Sequence, residues 1–200
     1  ETKGELFLEQ FGLPSGTHLT GSVAYAYGKD EETGEPINSI DPLKGVFGVG
    51  YSEPGGRFGS DLTWTVVARK DRIDRTDTPD LYATPGYGIL DLNGWVQVTE
   101  SVSINAGLYN LTDKKYWQWS GGSLGTLTED SASIDRFSQP GRYAAANLIW
   151  SPVAGLDIGV ETGLAFTLSA FSFASSKISR IISAAASKVS RLSVSVGSNI

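Results

Sequence analysis

Few side chains in this 200-residue chain are equipped for chemistry. There is one imidazole, His18, and there is no Cys and no Met. A nucleophile–base pair would have to be built on His18, which directly follows the turn-like "GLPSGT" (12–17), and nothing around it supports one. No catalytic residue is assigned, and the chain reads as a non-enzyme. Disulfides and thiolate metal sites are excluded. The acidic run "KDEETGE" (29–35) lacks the spaced oxygen ligands and turn Gly of a calcium loop, so it reads as a solvated tip and no metal ligand is assigned. "GYG" and "GVGYSEPGG" are not followed by a helix and form no phosphate cradle. Two groups remain. "KDRIDR" (70–75) offers Arg72 and Arg75, whose planar guanidinium groups pair with carboxylates and phosphates. "YWQW" (116–119) offers Tyr116, Trp117 and Trp119, broad rings on which a ligand can stack. These five are the candidate ligand-binding residues. The net charge of −6 disfavours nucleic acid as a partner.

Period-two alternation dominates the elements that must position these groups. In "RFGSDLTWTVVAR" Phe58, Leu62, Trp64 and Val66 oppose Gly59, Asp61, Thr63 and Thr65. "HLTGSVAYAY", "ILDLNGWVQV" and "VSINAGLYN" behave alike, with one face apolar and the other polar or small. Seven strands follow, roughly 5–11, 18–27, 44–51, 57–69, 88–98, 102–111 and 142–150. Their connections alternate strictly between short ("GLPSGT", "SEPGGR", "TES") and long (28–42, 70–87 and 112–141). That parity suits an up-and-down barrel of the outer membrane, with short periplasmic turns and long extracellular loops. No run approaches the ~18 apolar residues of a membrane-spanning helix, but barrel strands need only ~9–11. The predicted fold is therefore an all-β, antiparallel, up-and-down transmembrane barrel fragment. A soluble β-sandwich or lipocalin-like barrel is the alternative. Leu19, Phe58, Leu62, Trp64, Leu92, Ile104 and Leu108 are expected together on the lipid face. By loop parity His18 lies at the short-turn end, as a solvated residue without a ligand role. Tyr116, Trp117 and Trp119, with Trp64, Tyr27 and Tyr87, are expected as an interfacial girdle, where apolar rings with polar tips gather.

Four stretches, in this order, resemble a known family: "NSIDPLKGVFGVGY" (38–51), "TPGYGILDL" (84–92), "NLTDKKYW" (110–117) and "DRFSQPGR" (135–142). Together they are similar to the C-terminal barrel part of TonB-dependent outer-membrane receptors, in the haem/haemoglobin receptor branch. The resemblance covers residues 1–150. It implies one section of a barrel of about 22 strands with a plugged lumen. It also implies energised uptake of haem or another iron-bearing ligand, with haem as cargo and no cofactor held by this segment. The implied partners are outer-membrane lipid, haem or a haem-carrier protein, and the inner-membrane TonB complex. The last would be reached through an N-terminal plug that this sequence does not contain. In that setting Arg72 and Arg75 would meet haem propionates or lipopolysaccharide phosphates. Haem-ligating histidines of the family lie upstream, so this chain alone is expected to bind haem weakly or not at all.

The remainder departs from the family. "RYAAANLIW" ends at Trp150, a plausible counterpart of the family's terminal aromatic, and the chain then continues. Residues 151–166 are expected to supply one more strand. Residues 167–200 are Ser-rich and basic, without Asp or Glu, and read as the product of a frameshift or fusion. Ile178, Ile182, Ala185, Val189 and Leu192 form the apolar stripe of at most a loosely attached helix. With Glu1 in place of Met, a fragment or a processed chain is expected. Two other functions remain open: a passive outer-membrane porin or channel, and a soluble β-rich binding domain.

Overall fold

Alternating side chains and Gly/Pro-punctuated turns produce one antiparallel sheet. The computed structural model describes residues 1–119 and 127–150, and the backbone of 165–172. Eight strands follow one another in chain order: β1 Thr2–Phe7, β2 Thr17–Ala24, β3 Lys44–Ser52, β4 Phe58–Val67, β5 Tyr87–Thr99, β6 Val102–Tyr109, β7 Tyr143–Trp150 and β8 Ala165–Ser172. Each pairs only with its neighbours in sequence, so β1 and β8 are the two edges. Among the described residues no helix is long and apolar enough to cross a membrane, which leaves crossing by strands untouched.

Register decides the faces. One row across the sheet reads Leu6, Leu19, Val49, Leu62, Leu92, Leu108. The next row reads Phe7, His18, Gly50, Asp61, Asn93, Gly107. Successive residues point to opposite sides, so the first row lies on one face and the second on the other. Leu19, Phe58, Leu62, Trp64 and Leu92 are exposed, and Ile104 and Leu108 share their face. A soluble sheet would cover such a surface, whereas a membrane strand turns it to lipid. The opposite face carries Asp61, Thr63, Asp91, Asn93, Asn105 and Asn147. Part of it lines a hollow of about 350 Å³ bounded by Asp61, Asn93, Trp95, Asn105, Tyr109 and Asn147.

Two boundaries differ from the sequence-based strands. The segment expected as strand 5–11 stops at Phe7, and Leu8–Phe11 coils into a 3-10 turn. Gly12, at φ 82°, ends that turn and donates its N–H to the Glu9 carbonyl. The short connection is therefore longer than "GLPSGT". The additional strand β8 begins at Ala165, so it overlaps the end of 151–166 and runs into the Ser-rich segment. Residues 151–164 and 173–200, with the stripe from Ile178 to Leu192, lie outside the described residues.

Candidate functional site: the long-loop layer

The three long connections (25–43, 68–86 and the described parts of 110–142) leave the sheet at the same end, because they are every second connection of an antiparallel sheet whose strands pair in chain order. Adjacent strands lie only ~4.8 Å apart, so the loops are forced into contact and become one packed layer. Asn38 of the first loop and Asp74 of the second exchange hydrogen bonds. The Asn38 carboxamide donates to the Asp74 carbonyl at 3.0 Å and accepts the Asp74 N–H at 2.7 Å. Trp119 of the third loop donates its indole N–H to the Asn38 carbonyl at 2.7 Å. Lys70 of the second loop donates to the Ile40 carbonyl and places its ammonium 4.8 Å from the Trp119 ring centroid. Leu81 bridges Thr128, and the Tyr82 N–H reaches the Leu127 carbonyl at 2.8 Å.

This layer, not the sheet, holds much of the buried interior. Trp119 is 5 % and Tyr116 8 % exposed, and Leu81, Lys70 and Thr84 are buried with them. The girdle expectation is corrected for Tyr116 and Trp119. The Asn38 carbonyl and the Lys70 ammonium of neighbouring loops hold the Trp119 ring, and Tyr87 at the start of β5 holds the Tyr116 ring, contacts that open water at a barrel rim would not supply. Tyr116 packs on Tyr87 with centroids 4.4 Å apart. Burial pushes the Tyr116 phenol pKa up, and Asp91 and Tyr143 add to the shift. Burial likewise lowers the pKa of Lys70, with Arg72 acting in the same direction and Asp41 against it. Trp64 does fit a belt: it is 49 % exposed on the lipid face, near the long-loop end of β4.

The other candidates are tied down but more accessible. Trp117 is partly buried; its N–H donates to the Ile134 carbonyl at 2.9 Å, and Tyr82 meets its ring edge-on at 6.2 Å. Arg72 lies 3.8 Å from the Tyr27 ring centroid and donates to the Gly28 carbonyl at 3.1 Å. Arg75 donates to the Leu81 carbonyl at 2.9 Å and stands 3.7 Å from Glu129. The five residues do not converge on one cavity. Trp119 joins Lys70, Tyr116 joins Tyr87, Trp117 joins Tyr82, and the two arginines brace separate turns. A hollow of about 210 Å³ between the first two loops is lined by Tyr25, Ile37, Ile40, Leu43, Lys70 and Arg72, among others.

The "NLTD" stretch proves to be a clamp. Asn110 is buried in the left-handed region at φ 51°. Its backbone N–H donates to Asp91 at 2.7 Å. Its carboxamide donates to the Lys114 and Pro140 carbonyls at 2.8 and 3.2 Å and accepts the Lys114 N–H at 2.8 Å. Asp113 accepts the Arg142 N–H at 2.7 Å. Outgoing and returning arms of the third loop are thus pinned together where they leave the sheet. Sequence reasoning marked the motif but missed Asn38 and Lys70 as junctions, since neither type nor spacing distinguishes them from solvated loop residues.

His18 is at the opposite, short-turn end, as parity required, but it is not freely solvated. Its Nε2 is 2.9 Å from Asp61 Oδ1 and its Nδ1 is 3.3 Å from the Gly16 carbonyl. The pair spans three strands by passing over Gly50, where a methyl group would collide with both side chains. Among the described residues no group of three or more His, Cys, Asp or Glu could hold a metal ion.

A transmembrane-type sheet with lipid-facing rows, short turns at one end and interlocked loops at the other defines a section of an outer-membrane barrel. The family described as "TonB dependent receptor-like, beta-barrel" matches residues 3–111, and the chain belongs to it. It is a receptor family, found in the outer membrane of Gram-negative bacteria. The chain is 31 % identical over 163 residues to hemoglobin-haptoglobin utilization protein B of Neisseria meningitidis serogroup C, an alignment covering 71 % of this chain and 20 % of that protein. It is 36 % identical over 140 residues to hemoglobin-binding protein A of Haemophilus influenzae, covering 60 % and 14 %. Among solved structures it is similar to the copper transporter OprC, with a TM-score of 0.56 and 30 % identity, covering 68 % of this chain and 21 % of that one. The chain thus spans about a fifth or less of these proteins.

Proposed function

We propose that this chain is the barrel section of a receptor for energised uptake of haem or another iron-bearing ligand, with haemoglobin or a similar haem carrier as the source. The similarity to proteins named for haemoglobin binding carries this reading. The interlocked loop layer supports it, since a receptor needs a pre-formed surface on the side that meets the ligand. Trp117, Arg72 and Arg75 are the candidate contacts within that layer, and Tyr116 and Trp119 hold it in shape. The TonB complex would act through an upstream plug. Residues 167–200 would contribute nothing to uptake.

The test uses the full-length receptor in an iron-starved host that has no other haem receptor. Growth on haemoglobin should require both the receptor and the energy-coupling system. Growth that persists without energy coupling would favour a passive channel instead. Similarity to OprC raises copper as a second cargo. Soft sulfur ligands suit copper(I), and this segment contains neither Cys nor Met to supply them. Copper-dependent competition with haemoglobin growth would revive that alternative.

A further inference from the structure

Trp117 and Tyr82 stand apart from the rest of the loop layer. Each is partly exposed, and each residue is tied to a backbone carbonyl of the third loop by a hydrogen bond. The Trp117 N–H is bonded to the Ile134 carbonyl, which fixes the ring plane. Tyr82 is fixed by a short ladder between the second and third loops. Its N–H donates to Leu127, Leu81 bridges Thr128, and the Glu129 N–H donates to the Asp80 carbonyl at 2.9 Å. The two rings meet edge-on, at 74°.

Opposite charges flank this pair. The Lys115 ammonium lies 5.4 Å from the Trp117 ring centroid and 2.8 Å from the Asp135 carboxylate. Arg75 and Glu129 form a second, looser pair at 3.7 Å. Burial raises the Tyr82 phenol pKa; the charges of Asp135 and Glu129 raise it further and that of Lys115 lowers it. Exposed ion pairs like these add little stability, but they make a polar rim of mixed sign.

A pre-positioned Trp/Tyr centre inside a mixed-charge rim has the anatomy of a protein-binding hot spot. Rigid aromatic anchors lose little conformational entropy on binding. The same patch is poorly made for iron. It has no imidazole, thiolate or thioether, and its one phenol is kept neutral. A lipid headgroup or polyanion would call for a rim of one sign, which this is not.

We propose that Trp117 and Tyr82 anchor a docking surface for a folded carrier protein and make no contact with free haem. This rests on the receptor reading above and narrows it to one partner class at one patch. The experiment compares haemoglobin and haemin, each as binding partner and as sole iron source, in the full-length receptor. Trp117→Ala should weaken haemoglobin binding at least about tenfold, a loss of roughly 1.4 kcal/mol or more, and should lower haemin-supported growth far less. Trp117→Phe should recover part of the affinity. Because truncation could disturb the loop, a second variant adds bulk instead. Lys115→Cys is labelled with a large maleimide reagent after assembly, in a receptor with no other accessible thiol. The label should block haemoglobin and spare haemin. Equal loss of haemoglobin and haemin would make the patch a porphyrin contact and overturn the proposal. Unchanged haemoglobin binding in both variants would overturn the anchor alone and leave the receptor reading standing. An unmodified receptor that binds haemin but no haemoglobin would overturn the carrier reading and the docking surface together.

Discussion

The strands and the long loops of this protein use apolar side chains in opposite ways. In β2 to β6 Leu19, Val49, Leu62, Leu92 and Leu108 line up across the sheet facing outward, with polar or small residues on the other side. In the loops Leu81, Tyr116 and Trp119 turn inward and are buried. The solvent explains the inversion. Lipid accepts an apolar face but no unpaired backbone, so the strands spend their hydrogen bonds on one another. The loops stand in water, where apolar rings must be covered and the backbone can be irregular. Their order comes from side chain–backbone bonds such as those of Asn38, Asn110 and Trp119.

The strongest way to break this contrast is to empty the loop interior. Trp119→Ala should cost about 3–5 kcal/mol, as expected for a buried large aromatic, and most of it should appear as loop disorder. Limited proteolysis of the assembled receptor should cut within the three long loops while heat-modifiable barrel mobility on gels is unchanged. Loss of the barrel itself would mean that the loops and the sheet are one cooperative unit.

Reversing the strand pattern comes next. Leu62→Arg places a charge on the lipid face and should destabilise the barrel by about 2–4 kcal/mol if the site lies near the bilayer midplane. Its neighbour in sequence, Thr63→Arg, faces the other way and should be far milder. Unfolding titrations in lipid vesicles measure both, and equal penalties would sink the face assignment.

A smaller effect is expected where strand becomes loop. Asn110→Ala strands the Lys114 and Pro140 carbonyls and the Lys114 N–H. A loss of about 1–3 kcal/mol follows from leaving such groups unpaired. It should loosen the third loop and leave the first two intact, which site-specific spin labels on each loop would report.

The weakest effect is acid loosening of the loop tips. Asp30 accepts the Thr33 and Glu32 N–H groups, both at 2.9 Å, and Asp74 accepts the Thr76 N–H at 2.9 Å. The Thr33 and Thr76 N–H groups are the largest causes holding the two carboxyls below the usual 3.8. A folded-state pKa lowered in this way contributes order that is complete above 3.8 and lost as pH falls through the lowered value. Amide resonances of Thr33 and Thr76 should therefore stay put from pH 7 to about 4 and move only below it. Movement nearer pH 6 would show that some other group controls these turns.

Much of the sheet was legible because period two is a local property. Leu62 and Asp61 are adjacent, and one glance at their polarity assigns both faces. The end of β1 was less legible, since "LEQF" can extend or coil and the backbone at Gly12 decides. The loop aromatics were misplaced for a different reason. "YWQW" looks like a rim because nothing near it in sequence can cover it. What meets Trp119 is Asn38 and Lys70, tens of residues away.

The sequence by itself determined the strand rhythm, the parity of turns and loops, the lipid-facing rows and the family, since each is written in neighbouring residues or in an ordered set of short motifs. Only the tertiary structure decided that the long loops form one layer, that Trp119 and Tyr116 are its interior, that Asn110 is a clamp, and that His18 reaches Asp61 across Gly50. These depend on which strands lie side by side: a gap of 43 residues between His18 and Asp61 becomes 2.9 Å once β3 lies between β2 and β4.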